Sequence, residues 1–367
     1  MAPPNDFRHE YLNTLLQFLW QSWSSIGVAG HQRGRMVADP EALLLLTCSI
    51  GRHDPRLFDE VLDWLRLNGR FINIQRLSNI VRSEPFRGGP VLAAVAGWMA
   101  ARGAASKWKR LSEALQQAPE RRLADSAGYR AGGRMPRARE SGVKAGEEYG
   151  AGRDAVPLFM LPDGRALPVI GPLDPLFLEK GFIRSPVEVR GLSSVFSADA
   201  SAARLLQLRA LFGVNARCDA LIYLALRGAG HPCEIAREIY FSQKSVHAVL
   251  ADLECAGAVV SSRAAREREY RLAPGGAALV GDITEQFNWV NWPLLLCAAE
   301  TAWAVLGGDG VSGLDREDAE SLRPLLERLL RARWAEATGI EVPASIEGQI
   351  SVFHHLFQRI ALGGAPT

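Results

Sequence analysis

The strongest constraint on the fold is an ordered series of helix caps and turns between residues 215 and 272. A predicted helix, Asn215–Arg227, ends at glycines, and a short predicted helix, Cys233–Ile239, follows it. Ser242 supplies an N-cap for a third helix that ends at Gly257. Two helices joined by so tight a turn are typical of a helix-turn-helix, so the second and third helices predict that motif.

A predicted β-hairpin follows the third helix. Ala258–Val260 and Tyr270–Leu272 have the apolar and β-branched residues of short strands. Between them, Ser261–Glu269 (SSRAARERE) is polar and charged, which predicts a loop. A helix-turn-helix followed by such a hairpin indicates a winged helix-turn-helix over residues 201–281.

The core and turn positions of this block also match a family pattern. The matching residues are Glu234-Ile235-Ala236, Ser245-Val246, Leu250, Leu253, Ala256-Gly257-Ala258-Val259 and Tyr270-Arg271-Leu272-Ala273-Pro274-Gly275-Gly276. On these residues, the segment from about 203 to 277 resembles bacterial winged helix-turn-helix transcriptional regulators, especially the multiple-antibiotic-resistance-regulator and arsenic-regulator groups. The stretch Leu208–Gly228 also resembles a group of bacterial proteins, some of which are thought to act beside toxin-like nucleotidyltransferases.

The resemblance implies a set of residues that contact double-stranded DNA. In the family, the start of the last helix touches base edges and the wing touches phosphates or the minor groove. Carried over by position, the set is Ser242, Gln243, Lys244, Ser245 and His247 on the helix, and Arg263, Arg266 and Arg268 on the wing. Gln243 suits adenine, and Lys244 suits a guanine edge or a phosphate.

Charge on this set is modest. The helix residues carry one formal charge, on Lys244, and Glu267 and Glu269 lie among the wing arginines. Because affinity for DNA rests largely on phosphate neutralisation, one copy is expected to bind weakly, and we expect a homodimer. The whole chain has 42 Lys and Arg against 40 Asp and Glu, but residues 204–281 have ten against seven, so overall neutrality does not exclude a DNA-binding protein.

Residues 1–100 are predicted to form a helical N-terminal domain. The first apolar stripe has helical spacing and comprises Leu12, Leu15, Leu16, Leu19, Trp23 and Ile26. Asp39-Pro40 and Asp54-Pro55 each predict a helix start, and Asn73 predicts another. Asn68-Gly69 is expected to end the second of these helices in a left-handed conformation. The acidic residues Asp59, Glu60 and Asp63 are expected on the solvated face of that helix.

The remaining segments complete a mainly α fold with helical domains on both sides of the winged helix. Residues 101–155 form a basic stretch rich in Gly and Arg, which predicts a flexible linker. Residues 156–200 are predicted to be irregular, with a β-hairpin turning at Pro162-Asp163-Gly164. Residues 282–367 predict an acidic helical C-terminal domain, in which Trp289, Trp292, Trp303 and Trp334 either fill a core or line an effector pocket.

Catalytic and metal-site patterns are missing from the sequence. It contains no GxxxxGK[ST], GxSxG, HExxH or GxGxxG, so we expect no enzymatic activity. His231-Pro-Cys233 and His354-His355 lack a second cluster at metal-site spacing, which favours a helix cap and a helix surface. No metal and no cofactor are expected. The five cysteines are scattered singly, which favours reduced thiols.

The N-terminal segment lacks the order of a signal peptide, and no apolar run reaches the length of a membrane span. A cytoplasmic protein without membrane contact is therefore expected. The function most consistent with these features is a DNA-binding transcriptional regulator. The alternative is a protein-interaction module, antitoxin-like or a defence accessory, whose winged helix contacts a protein partner.

Overall fold

The computed structural model describes residues 5–30, 34, 36–103, 106–116, 155–264, 267–281, 283, 289–306, 324–325 and 345–361. The chain is mainly helical with a small sheet. The helices are α1 Asn5–Ser24, α2 Pro40–Ser49, α3 Pro55–Asn68, α4 Ile74–Ser83, α5 Gly89–Ala101, α6 Ser106–Gln116, α7 Pro175–Glu179, α8 Arg204–Phe212, α9 Ala216–Arg227, α10 Pro232–Glu238, α11 Gln243–Cys255, α12 Pro274–Val280, α13 Trp292–Val305 and α14 Ile346–Ala361. The strands are β1 Val156–Pro157, β2 Phe182–Ile183, β3 Ala229–Gly230, β4 Val259–Ala264 and β5 Glu267–Leu272.

Two predicted segments lie largely outside these residues. The flexible linker predicted for 101–155 is wrong over residues 106–116, which form helix α6 with Trp108 and Leu111 buried. Apart from α6, only residues 101–103 and 155 of that segment are described. The acidic helical domain predicted for 282–367 is described only at residues 283, 289–306, 324–325 and 345–361.

The N-terminal helices begin where their capping residues predict. The Oδ1 atoms of Asp39, Asp54 and Asn73 each accept a hydrogen bond of 3.0 Å from the backbone N–H three residues later. The predicted left-handed end of α3 is wrong, because Asn68 and Gly69 have φ angles of −112° and −58°. The Asn68 amide instead donates to Ser194 O at 3.0 Å, and the chain continues in a 3-10 turn over Gly69–Phe71.

One large core joins the two ends of the chain. The buried residues of the N-terminal helices form one hydrophobic cluster with the buried residues of α13 and α14. The Tyr11 hydroxyl on α1 donates to Ala299 O on α13 at 3.1 Å, and the rings of Phe18 and Phe357 meet edge to face at 5.0 Å. The described helices of the acidic C-terminal segment therefore add to the N-terminal core and do not stand apart from it.

Residues 155–203 cover this core as an irregular segment. The turn at Pro162-Asp163-Gly164 forms as predicted and is closed by an antiparallel bridge between Met160 and Ala166. The two strands of this segment do not form a hairpin, because β1 pairs with β2 in parallel. Phe177 and Phe182 of this segment enter the large core.

The acidic face of α3 is buried, which overturns the prediction of a solvated face. Asp59, Glu60 and Asp63 are at most 6% exposed. The segment after β2 covers them, and the buried Arg184 guanidinium donates to both Asp59 oxygens at 2.7 and 3.0 Å. Burial raises the pKa of the Asp59 carboxyl, although Arg184 opposes this effect. Arg184, which lies 125 residues later in the chain, thus contacts the Asp59 carboxylate in place of water.

A second core is formed by residues 205–283, called here the central unit. It contains helices α8 to α12 and a three-stranded antiparallel sheet in the order β3-β5-β4. The glycine stretch that was predicted only to end α9 also forms β3, which pairs Ala229 with Arg271. Ile235, Val246 and Leu250 from α10 and α11 are fully buried in this core.

A buried ionic network connects the two cores. It comprises Asp39, Glu41, Arg76, Arg209 and Asp219. Arg76 on α4 also donates from Nε to Ile239 O at 3.1 Å, next to the turn between α10 and α11.

Within the described residues, each helix is too short or too polar to cross a bilayer.

Candidate nucleic-acid interface

Helix α11 is capped and anchored in the way that its sequence predicts. The Ser242 hydroxyl accepts a hydrogen bond of 3.1 Å from the Ser245 N–H. Val246, Leu250 and Leu253 lie at three- and four-residue steps and are buried against the central unit. The helix is therefore fixed along one side, and its opposite side faces solvent.

The five helix residues predicted to read DNA lie together on that solvent side. We call Ser242, Gln243, Lys244, Ser245 and His247 the reading face. All five are exposed, and Gln243 Nε2 lies 3.5 Å from His247 Nε2 one helical turn away. The arrangement presents amide, hydroxyl, imidazole and ammonium groups within about a turn and a half of helix.

The turn before α11 holds a strained residue in place. Tyr240 has a φ of 61°, a left-handed conformation that is costly for a bulky residue. Its hydroxyl is bound at both sides, to Glu84 Oε1 at 2.8 Å and to Asn291 Oδ1 at 3.2 Å. Phe241 N–H donates to Ala236 O at 3.0 Å, which closes the turn. Contacts from outside the central unit thus hold the turn between α10 and α11.

The hairpin after α11 is longer than predicted. Residues 261–264 and 267–269 belong to strands and not to the predicted loop, because the β4–β5 ladder continues to the pair Ala264 and Glu267. An antiparallel ladder with a solvated face accepts polar side chains such as these serines and arginines. Arg266 lies outside the described residues.

Arg263 and Arg268 are direct cross-strand partners in this hairpin, and both are exposed. Like charges placed opposite each other destabilise a ladder, unless an anion lies between them. Glu254 in the last turn of α11 partly balances this charge, since its Oε2 lies 3.8 Å from Arg268 Nη1. The Glu254 Oε1 accepts a hydrogen bond from Ser261 Oγ at 2.6 Å. Arg263 and Arg268 therefore lie on the side of the end of α11, whereas the reading face is at its start.

The buried charged residues that connect the two cores were not predicted from the sequence. Glu41 accepts from Arg209 at 2.6 and 3.0 Å, from Arg76 at 2.8 Å and from the Asn73 N–H at 2.6 Å. The available signal was a charged residue inside an apolar run, as in PEALLLL and RLLQLRALF. Burial and the carboxylates act in opposite directions on Arg76, and the carboxylates raise its pKa well above the ordinary value.

The tryptophans divide between core and cavity. Trp303 is buried in the large core, and Trp334 lies outside the described residues. Trp289 and Trp292 border a cavity of about 40 Å³ beside the ionic network. At roughly 10–15 Å³ for each water, this cavity has room for about three water molecules, which is too little for an effector.

The two histidines predicted to lie on a helix surface, His354 and His355, differ in exposure. His355 is exposed, but His354 is buried and lies 3.2 Å from Thr14 Oγ1, because α14 packs on α1. In the part of the chain that the structure describes, no three His, Cys, Asp or Glu side chains are grouped to hold a metal ion.

Comparisons with protein-family models, curated proteins and solved structures give no match to this chain. The geometry of the exposed residues is accordingly the basis for a functional assignment.

Proposed function

We propose that the central unit is a winged helix-turn-helix that binds double-stranded DNA, and that the protein acts as a transcriptional regulator. The observation that carries this proposal is the exposed reading face on a helix whose other side is buried. Direct readout of bases needs amide or cationic groups that project from the first turn of a helix, and Gln243 and Lys244 meet that requirement.

The separation along α11 between Lys244 and the wing residue Arg268 supports the same proposal. Lys244 is near the start of α11 and Glu254, the neighbour of the wing residue Arg268, is ten residues later. At 1.5 Å per residue this separation is about 15 Å. The major groove of B-DNA is about 12 Å wide, so a helix that reads bases at its start leaves the wing arginines near a flanking phosphate strand.

We propose a homodimer as the binding species. The reading face has one formal charge, on Lys244, and each phosphate contact adds to affinity through counterion release. Two copies of the central unit on two half-sites double the number of contacts.

The experiment is a fluorescence-anisotropy titration of a duplex from the region upstream of the protein's own gene, at low salt. Lys244→Ala is expected to weaken binding by about 1–3 kcal/mol. Lys109→Ala is the matched control, because Lys109 is 74% exposed on α6, a helix outside the central unit. Equal affinities for the two variants contradict the proposed role of α11, and a wild-type protein that does not bind the duplex contradicts the regulator.

A protein-interaction module is the second candidate. Exposed aliphatic side chains favour it, since Leu211 on α8 is 73% exposed and Leu279 on α12 is 44% exposed. DNA binding makes no use of these side chains. A stoichiometric partner protein that co-purifies with the wild-type chain and is lost from Leu211→Glu supports this second function.

A further inference from the structure

A groove runs between the N-terminal helix α4 and the turn that leads into the reading face. Its volume is about 690 Å³, which lies within the range of roughly 300–1,000 Å³ that ligand sites occupy. The lining includes Asn79, Arg82 and Ser83 from the N-terminal side and Arg237 and Ser242 from the central unit. The groove therefore continues the reading face toward the N-terminal helices.

One asparagine connects the two sides of this groove. Asn79 Nδ2 donates to Tyr240 O in the turn at 2.8 Å. The Asn79 Oδ1 accepts a hydrogen bond from Arg82 Nη2 at 2.5 Å, and Arg82 Nε donates to Ser78 O at 3.2 Å. The Arg82 guanidinium is thus held at a fixed place relative to the turn before α11.

The charges of the groove are layered. Arg82 is exposed, and the Arg237 side chain is 72% exposed, with its Nε 3.5 Å from Glu238 Oε1. The two acids, Glu84 and Glu238, are buried. Glu84 accepts from the Tyr240 hydroxyl, and Glu238 Oε2 accepts from the side chains of Trp289 and Asn291, each at 3.1 Å. The carboxylates form the floor, and the two guanidiniums lie at the rim.

We propose that this groove binds the sugar-phosphate backbone of the duplex beside the bases that α11 reads, with Arg82 and Arg237 as the phosphate contacts. The inference rests on the proposed DNA-binding function and adds to it the N-terminal helices as part of the interface. Guanidiniums and hydroxyls are the groups that phosphate oxygens prefer, and Arg82, Arg237 and Ser242 supply them. This site would add two exposed guanidiniums to the single exposed charge of the reading face, while the two carboxylates of the groove are buried beneath them.

The test measures the affinity of Arg82→Ala, Arg237→Ala and the double variant for the upstream duplex and for an unrelated duplex, at several salt concentrations. Because the contacts are to phosphate, each single change is expected to lower affinity about fivefold on both duplexes. Each is also expected to reduce the slope of log affinity against log salt by about 1. Arg82→Lys keeps the charge and is expected to restore most of the affinity.

The matched control is Arg110→Ala, which removes an exposed arginine from α6. If Arg82→Ala and Arg237→Ala bind like Arg110→Ala while Lys244→Ala is weakened, the groove is not part of the interface and the proposed function still holds. If wild-type protein binds neither duplex, the proposed function fails and the groove proposal fails with it. Circular dichroism of each variant separates a binding defect from a folding defect.

Discussion

Arg209 in the central unit and Glu41 in the N-terminal core form a buried, two-point ion pair. Arg209 Nη1 lies 2.6 Å from Glu41 Oε1 and Nη2 lies 3.0 Å from Oε2, with both side chains fully buried. Arg209 also donates to Phe71 O at 3.0 Å. Because a charge left alone in such a place is costly, the pair links the folding of the two cores.

Arg209→Met is expected to lower the free energy of unfolding by about 3–5 kcal/mol, since it leaves Glu41 and Asp219 with one arginine fewer in a buried place. Urea unfolding followed by far-UV circular dichroism measures the change. Arg217→Met is the control, because Arg217 pairs with the exposed Asp252 at the surface, where a pair contributes about 0–1 kcal/mol. Equal losses in the two variants contradict the proposed role of the buried pair.

Glu41→Gln is expected to destabilise the fold more than Asp219→Asn, by a difference of about 1–3 kcal/mol. Glu41 accepts bonds from both buried arginines and from the Asn73 N–H, whereas the Asp219 contacts to Arg209 are longer, at 3.1 and 3.4 Å. Burial raises the pKa of Asp219 despite the arginines, so a neutral side chain is better tolerated there. Chemical unfolding at neutral pH ranks the two variants, and the reverse order contradicts this account.

His354 is expected to make stability fall as the pH is lowered. Burial lowers its pKa; nearby Glu10 opposes this effect and His355 adds to it. The unfolded chain takes up the proton near pH 6.5 and the folded chain does so only at lower pH, so stability is lost as the pH falls through and below about 6.5. His354→Gln should flatten the curve of unfolding free energy between about pH 7 and 5. The control is His247→Gln on the exposed reading face, and an unchanged slope in His354→Gln overturns the prediction.

The complex with DNA is expected to contain two protein chains. Size-exclusion chromatography with light scattering should give a protein mass of twice 40.0 kDa on a duplex with two half-sites. A duplex cut to one half-site should bind more weakly and with a smaller salt slope. A complex with one chain and an undiminished affinity contradicts the dimer.

Local signals in the sequence predicted the elements that carry the proposed interface. The Ser242 cap, the buried positions Val246 and Leu250 and the exposed reading face all follow from helix periodicity and capping, which depend on neighbours in the chain. The Asp39 and Asp54 caps were predictable for the same reason.

Contacts between distant residues were not predictable. Asp59 reads as a solvated residue because nothing near it in sequence indicates that Arg184, 125 residues later, covers it. Glu41 and Arg209 are separated by 168 residues. The extension of β4 and β5 into the charged segment also depends on cross-strand partners, which a polar sequence alone does not reveal.

The most direct test of the account places a photoreactive benzoylphenylalanine at position 243 and irradiates the protein with the labelled upstream duplex at low salt. Because Gln243 lies exposed at the start of α11, we expect a covalent protein–DNA product that excess unlabelled duplex abolishes. The same group at position 109 on α6 should give none. DNA that binds the protein but crosslinks at position 109 and not at position 243 would contradict the central claim.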